Sequence, residues 1–215
     1  MESSLSVLRN QIIYMFFNGP LPDDSKLTHD FFNRVVIDAR AEAIQMTYMQ
    51  TRSHVDEELF TEVPLTVLSN STGLYASIPK AITLENRKHI RIRGTNENQN
   101  SISYYEIISA RRMETIKNNV FDNKKPKACV VGNRVKFLSK NILKNVVAEM
   151  IVYNPIELAG FNEDAKFPVS GGLVNLMKEI IRKRDLNYYA QGRSDNENNS
   201  LPSFQKQAPA ENSQQ

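Results

Sequence analysis

Tryptophan is absent from this 215-residue chain, and cysteine occurs once, at Cys129. A lone thiol excludes an intrachain disulfide, so packing alone must hold the fold, as suits a reducing compartment. Histidine is nearly as scarce. His29, His54 and His89 lie far apart, with no second histidine or cysteine at the short spacing that metal ligands need. No metal or other cofactor is therefore expected. Long apolar runs are missing too. Ile12 to Phe17 falls far short of the ~20 residues that cross a bilayer, so no membrane span is expected. The N-terminus has no basic stretch followed by a long apolar one, and no signal peptide is expected.

Catalytic signatures are also wanting. The chain has no phosphate loop, dinucleotide fingerprint, Gly-x-Ser-x-Gly elbow or Ser-His-Asp pattern. Ser170-Gly171-Gly172 opens a helix whose N–H groups could hold an anion, but without a preceding strand and a lysine these small residues point to tight packing. Cys129, between Ala128 and Val130, reads as a buried structural thiol rather than a nucleophile. His54, near Asp56, Glu57 and Glu58, and the pair Glu163 and Asp164 read as solvated loop charge. The expectation is a protein that is not an enzyme.

What is present begins with charge. The net charge is only +3, but it is segregated. Residues 1–79 carry 5 basic and 10 acidic side chains, residues 80–144 carry 15 and 5, and residues 145–215 carry 7 and 9. Acidic and basic segments of this kind attract each other, within a chain or between copies, and a basic middle can also touch phosphate.

The spacing of apolar residues predicts helices at both ends and strands between. Leu5, Leu8, Ile12, Met15 and Phe16 mark a helix over Leu5 to Phe17, ended by Asn18-Gly19-Pro20, with the glycine suited to the left-handed position. Thr28 is placed to cap a second helix reaching about Gln50, with Phe31, Phe32, Val35, Val36, Ala39, Ala43, Met46 and Met49 as its stripe. Short β-branched or aromatic runs follow at Phe60 to Leu68, Leu74 to Ile78, His89 to Arg93 and Tyr104 to Ser109, with a mobile polar loop from Gly94 to Ser101. Ala110 to Asn119 reads as a short helix, Gly132-Asn133 as a hairpin turn between Ala128 to Val131 and Val135 to Leu138, and Val146 to Tyr153 as a strand closed by Asn154-Pro155. Ser170 caps a last helix with Leu173, Leu176, Met177, Ile180 and Ile181 on one face and Arg182, Lys183 and Arg184 at its end. That stripe either closes the core or docks on a neighbour. Strands that do not alternate with long helices imply an α+β fold, in which the terminal helices pack with a mainly antiparallel sheet or small barrel. The folded unit is expected over residues 1–190. Residues 191–215 are too polar to fold alone and should be disordered unless a neighbour binds them.

The basic middle supplies the candidate contact residues. Arg87, Lys88, Arg91 and Arg93 fall in one stretch, with Arg87, His89, Arg91 and Arg93 placed on one strand face. Lys124, Lys125 and Lys127 follow around Pro126. Single-strand binding also needs stacking aromatics, and Tyr104 and Tyr105 are the only ones close by in sequence before Phe121. A solvated sheet face, or one that meets an acidic neighbouring protein, is the favoured reading, and non-specific nucleic-acid binding the alternative.

The order of features resembles that of head-to-tail connector proteins of short-tailed phages, especially the ring proteins of crAss-like phages. The resemblance rests on residue classes in Leu27-Thr28-His29-Asp30-Phe31-Phe32-Asn33-Arg34-Val35-Val36, Ser77-Ile78-Pro79-Lys80-Ala81-Ile82, Arg134-Val135-Lys136-Phe137-Leu138, Val147-Ala148-Glu149-Met150-Ile151-Val152-Tyr153-Asn154-Pro155, and Phe167-Pro168-Val169 before the last helix. It covers about residues 5–190. It implies a structural virion protein assembled in the host cytoplasm and placed at the head–tail junction. There a ring, usually of twelve copies, meets the portal and neighbouring tail proteins around the DNA channel. It implies no catalytic residue.

Overall fold

The computed structural model describes residues 4–51, 55–71, 73–85, 87–95, 101–116, 126–138 and 143–186. His54, Lys124, Lys125 and the tail from 187 onward lie outside them.

Helix α1 spans Leu5–Phe17. The Ser4 side chain accepts the Val7 N–H, which satisfies one free donor of the first turn. At the other end Asn18, not Gly19, takes the left-handed conformation, at φ 53°, and its N–H donates to the Tyr14 carbonyl. Asparagine tolerates this geometry, so the turn needs no glycine there. Glu163 and Asp164 are not idle loop charge. Arg9 pairs with Glu163, and the Ser6 hydroxyl donates to Asp164 at 2.7 Å, which ties the start of α1 to a distant loop.

Helix α2 spans His29–Thr51, and Thr28 accepts the Phe31 N–H as a cap. Phe32, Val35, Val36, Ala39 and Ala43 are buried, whereas Met46 and Met49 are exposed and Ile44 and Tyr48 face the core at that end instead. Helix α4, Gly171–Ile181, lies against α2. The Ser170 side chain makes no capping bond, and its carbonyl accepts the Leu173 N–H instead. Leu173, Met177, Ile180 and Ile181 are buried among α1 and α2 residues, with Leu176 half-buried beside them.

The strands form two sheets. The first has the order β1 (Thr61–Pro64), β11 (Lys144–Met150), β6 (Ile90–Thr95), β7 (Ile102–Tyr104), all antiparallel. The second runs β2 (Leu68–Asn70), β3 (Gly73–Ser77), β10 (Arg134–Leu138), β9 (Lys127–Val131), β8 (Glu106–Ile107), with one parallel pair, β8 to β9. A small hairpin joins β4 (Thr83–Leu84) to β5 (Arg87–Lys88). Helix α3, Ala110–Ile116, lies against β9. The predicted Phe60 to Leu68 run is divided between the two sheets, as is Tyr104 to Ser109. Both sheets bury their inner faces in one core, with Val63, Ile92, Ala148 and Met150 from the first and Ala76, Ala128, Val135 and Phe137 from the second. Gly132 carries the turn at φ 58°, as a two-residue hairpin loop with glycine first requires.

Strand β6 runs on through Gly94 rather than ending before it. Its register against β11 shifts between Lys144 and Val147, and Asn145 there has φ 48°. This irregularity presses β11 onto Gly94: a Cβ at that position would lie 2.6 Å from Leu143 Cβ and 3.0 Å from the Lys144 carbonyl oxygen. Gly94→Val is expected to cost about 1–3 kcal/mol by overpacking. Urea unfolding of the purified chain measures it.

The helices and the sheets are joined by a buried charge. Arg40 of α2 is fully buried. Its Nε donates to the Pro168 carbonyl at 2.6 Å, and its Nη1 donates to the Val152 carbonyl at 2.8 Å. The guanidinium lies 5.6 Å from the Phe167 ring centroid. Burial lowers its pKa to about 10, which leaves it charged near neutral pH.

Candidate assembly surfaces

The structure separates the predicted contact cations. Strand β6 begins at Ile90, so Arg87 and Lys88 are not on the Arg91 strand. They pair with Leu84 and Thr83 in the hairpin. Lys127 is only 3% exposed, on β9 between β8 and β10, so it is no surface cation. Its strand is covered on one face by the shared core and on the other by α3, an arrangement that a charge count cannot register. Tyr105 is also buried, its ring 5.1 Å from that of Phe137 and its oxygen accepting the Leu143 N–H. Burial raises its pKa. Tyr104, one residue earlier, is 59% exposed. With one ring buried and the other exposed, the pair forms no joint stacking platform.

Arg91 and Arg93 do share the outer face of the first sheet, but in company. Arg93 Nε donates to Glu149 at 2.7 Å, and its Nη2 donates to Glu62 at 2.8 Å. These hydrogen bonds to Glu149 and Glu62 raise its pKa. The three side chains come from β6, β11 and β1, so one guanidinium ties three strands together. Glu62 and Glu149 are direct cross-strand partners, and Arg93 offsets the repulsion between them. Arg91, exposed, sits 5.4 Å over the Phe60 ring. Part of the basic surplus of residues 80–144 is thus spent inside the chain on carboxylates from its acidic ends. The second sheet's outer face carries exposed Arg134 and Lys136, with Arg134 5.6 Å over Tyr75.

Carboxylates of α2 meet the basic residues that follow α4 in the same way. Arg184 Nη1 donates to Glu42 at 2.7 Å, and Arg184 also pairs with Asp185. Nearby, the Tyr153 hydroxyl donates to Asp38 at 2.7 Å, a bond that raises the tyrosine's pKa, and Lys80 lies 4.2 Å over the Tyr153 ring.

No cluster of three metal-type side chains occurs among the described residues. His29 is exposed, and His89 is half-buried with its ring edge-on to Tyr48 at 5.6 Å. Cys129 is buried, which pushes its thiol pKa up and makes the thiolate scarce. No described helix is long and apolar enough to cross a membrane.

Contact surface is plentiful. Each sheet ends in strands that pair on one side only among the described residues: β1 and β7 in the first, β2 and β8 in the second. Strand β7 presents Ile102 and Tyr104, β8 presents Ile107, and β2 presents Leu68, all exposed. Val7 and Tyr14 lie exposed on α1 beside Lys178 of α4 and Arg182 just after it. A groove of about 590 Å³ runs along β1, walled on its far side by residues 155–168. Sequence reading did not find this groove. Its signals were Pro155, which opens a single 3-10 turn over Pro155–Glu157, Pro168, and the partly exposed aromatics Phe60 and Phe161.

A family model described as phage tail ring protein 2 matches residues 10–205 of the chain. No curated protein matches it.

Proposed function

The chain belongs to this phage tail ring protein family, a family of crAss-like phages, and from that membership we propose that it forms a closed connector ring at the head–tail junction, linking portal to tail around the DNA channel. The coarser role follows from the family itself: a structural protein of the virion that associates with copies of itself. The finer reading adds twelve copies, contact with the portal and with neighbouring tail proteins, and assembly in the host cytoplasm. Residues 1–190 form the ring subunit, and residues 191–215 are an arm that orders on a neighbour. The protein works by contact and performs no catalysis.

The observation that carries this reading is the match over residues 10–205 to a ring family. The apolar edge strands, open on one side among the described residues, support it. A cyclic ring joins one face of each copy to a different face of the next. Exposed Ile102 and Tyr104 on β7, at one end of the first sheet, and Leu68 on β2, in the other sheet, offer two different faces of one chain. An exposed apolar sheet edge is an aggregation hazard in a solitary protein and an asset in an assembling one. Light scattering of the purified protein, alone and with portal, is expected to give a particle near twelve times the 24.6 kDa chain mass. A particle of single-chain mass in both samples contradicts the proposal.

DNA crossing the channel meets the wall through phosphate and not through base edges. Arg91 is the contact residue of choice, because Arg93 is already neutralised by Glu62 and Glu149. Arg91→Glu is expected to weaken non-specific DNA binding uniformly across sequences and to lower the salt slope by about 1. Filter binding across a salt series measures both.

A further inference from the structure

The groove along β1 has its sheet edge open and apolar side chains half-covered. The Leu65 N–H donates to Val146, and the register pairs Val63 with Ala148. Alternation along an antiparallel pair then turns the N–H and C=O of Glu62, and the C=O of Pro64, away from β11. Among the described residues no strand pairs with that side of β1. Phe60, Val63, Pro155, Leu158, Phe161 and Pro168 line the cavity. Extended peptides commonly bind in this way, adding a strand to a free edge while side chains fill flanking pockets.

The chain's own far end has matching chemistry. After Ala190, the only bulky apolar residues are Leu201 and Phe204, set in Leu201-Pro202-Ser203-Phe204 between polar stretches. The family match does not stop where the last helix does. It runs to residue 205, one position beyond Phe204. Leu201 lies fifteen positions beyond Leu186, the last described residue, enough to reach about 50 Å when extended. That span reaches across a neighbouring subunit.

We propose that Leu201 to Phe204 of one subunit docks as an extended segment in the β1 groove of the adjacent copy, with Leu201 and Phe204 as its anchors. Proline at position 202 favours the extended backbone that the groove requires. The docking strap closes each ring contact from outside the folded body. This inference rests on the ring reading.

The test uses full-length protein under conditions where the wild type forms rings. Ala165 lines the groove and is exposed, so Ala165→Cys leaves the core intact. Ser203→Cys marks the strap, and native Cys129 is buried away from both. Mixing the two single variants and oxidising is expected to give a reducible species of twice the chain mass. Adding Leu201→Ser and Phe204→Ser to the strap variant is expected to cut its yield at least tenfold. A cross-link that forms only within a chain carrying both cysteines overturns the proposal, because the strap then folds back on its own body. Rings that form normally while the mixture yields no cross-link also overturn it and leave the ring reading standing. Failure of the wild type to form rings overturns the ring reading and this docking with it.

Discussion

Arg40→Ala is expected to lower the unfolding free energy by about 3–5 kcal/mol, a large share of the roughly 5–15 kcal/mol that holds an ordinary domain. The loss has two sources. A fully buried side chain is removed and leaves a cavity beside Phe167. The Pro168 and Val152 carbonyls lose the donors that reach them at 2.6 and 2.8 Å, and the buried Val152 carbonyl is left without a replacement. Arg40→Lys is expected to recover little. One ammonium lacks the planar fork that reaches two carbonyls in different directions, and it is desolvated more harshly. Arg40→Met fills the volume and removes the buried charge, so it should fall between wild type and alanine. Urea denaturation of wild type and the three variants is expected to order them, from most to least stable, as wild type, Met, Lys and Ala. Equal stability of Arg40→Ala and wild type is the result this account excludes. Because Pro168 and Val152 belong to segments that lead into α4 and out of β11, the alanine variant should also loosen the junction of helices and sheets before the sheets themselves open. Hydrogen exchange at residues 167–181 reports that order.

Phe32→Ala is expected to cost about 3–5 kcal/mol. Phe32 has no exposed surface and is packed by three other phenylalanines. Phe31 and Phe16 meet it edge-on at 5.2 and 5.4 Å, and Phe17 at 6.2 Å. Phe16 and Phe17 belong to α1 while Phe31 and Phe32 open α2, so this cluster fixes the angle at which the two helices meet. Edge-to-face contacts add to the burial term, and no aliphatic residue reproduces them. Phe32→Leu should recover part of the loss, Phe31→Ala should cost much less because Phe31 is only half-buried, and thermal unfolding followed by circular dichroism separates the three. A Phe32→Ala protein as stable as wild type would mean that α1 and α2 are held by something other than this contact.

Local features of the chain were legible in its sequence, and long-range ones were not. Period and capping placed α1 at Leu5–Phe17 and put Thr28 before α2, because both depend on neighbours within one or two turns. Gly132 revealed the β9–β10 hairpin for the same reason. The stripe on α4 was visible, but nothing in the helix says what covers it, and α1 and α2 of the same chain do. Arg40 lies inside the apolar stripe of α2, and a charged residue there reads as surface until its carbonyl partners, more than a hundred residues away, are known. Lys127 shows the converse. Its run of lysines suggested exposure, yet its own strand lies inside a sheet under α3. The basic stretch 87–93 appeared to be one charged face. The chain breaks it at His89, sends its first two residues to a separate hairpin and sets Arg93 between two glutamates. Charge segregation along the sequence was real, but the fold uses part of it to hold the strands together.

Electron micrographs of the purified full-length protein, imaged alone and with portal, probe the central claim most directly. Closed rings with a central hole and near-twelvefold symmetry are the predicted result. Isolated particles the size of one 24.6 kDa chain in both preparations contradict it.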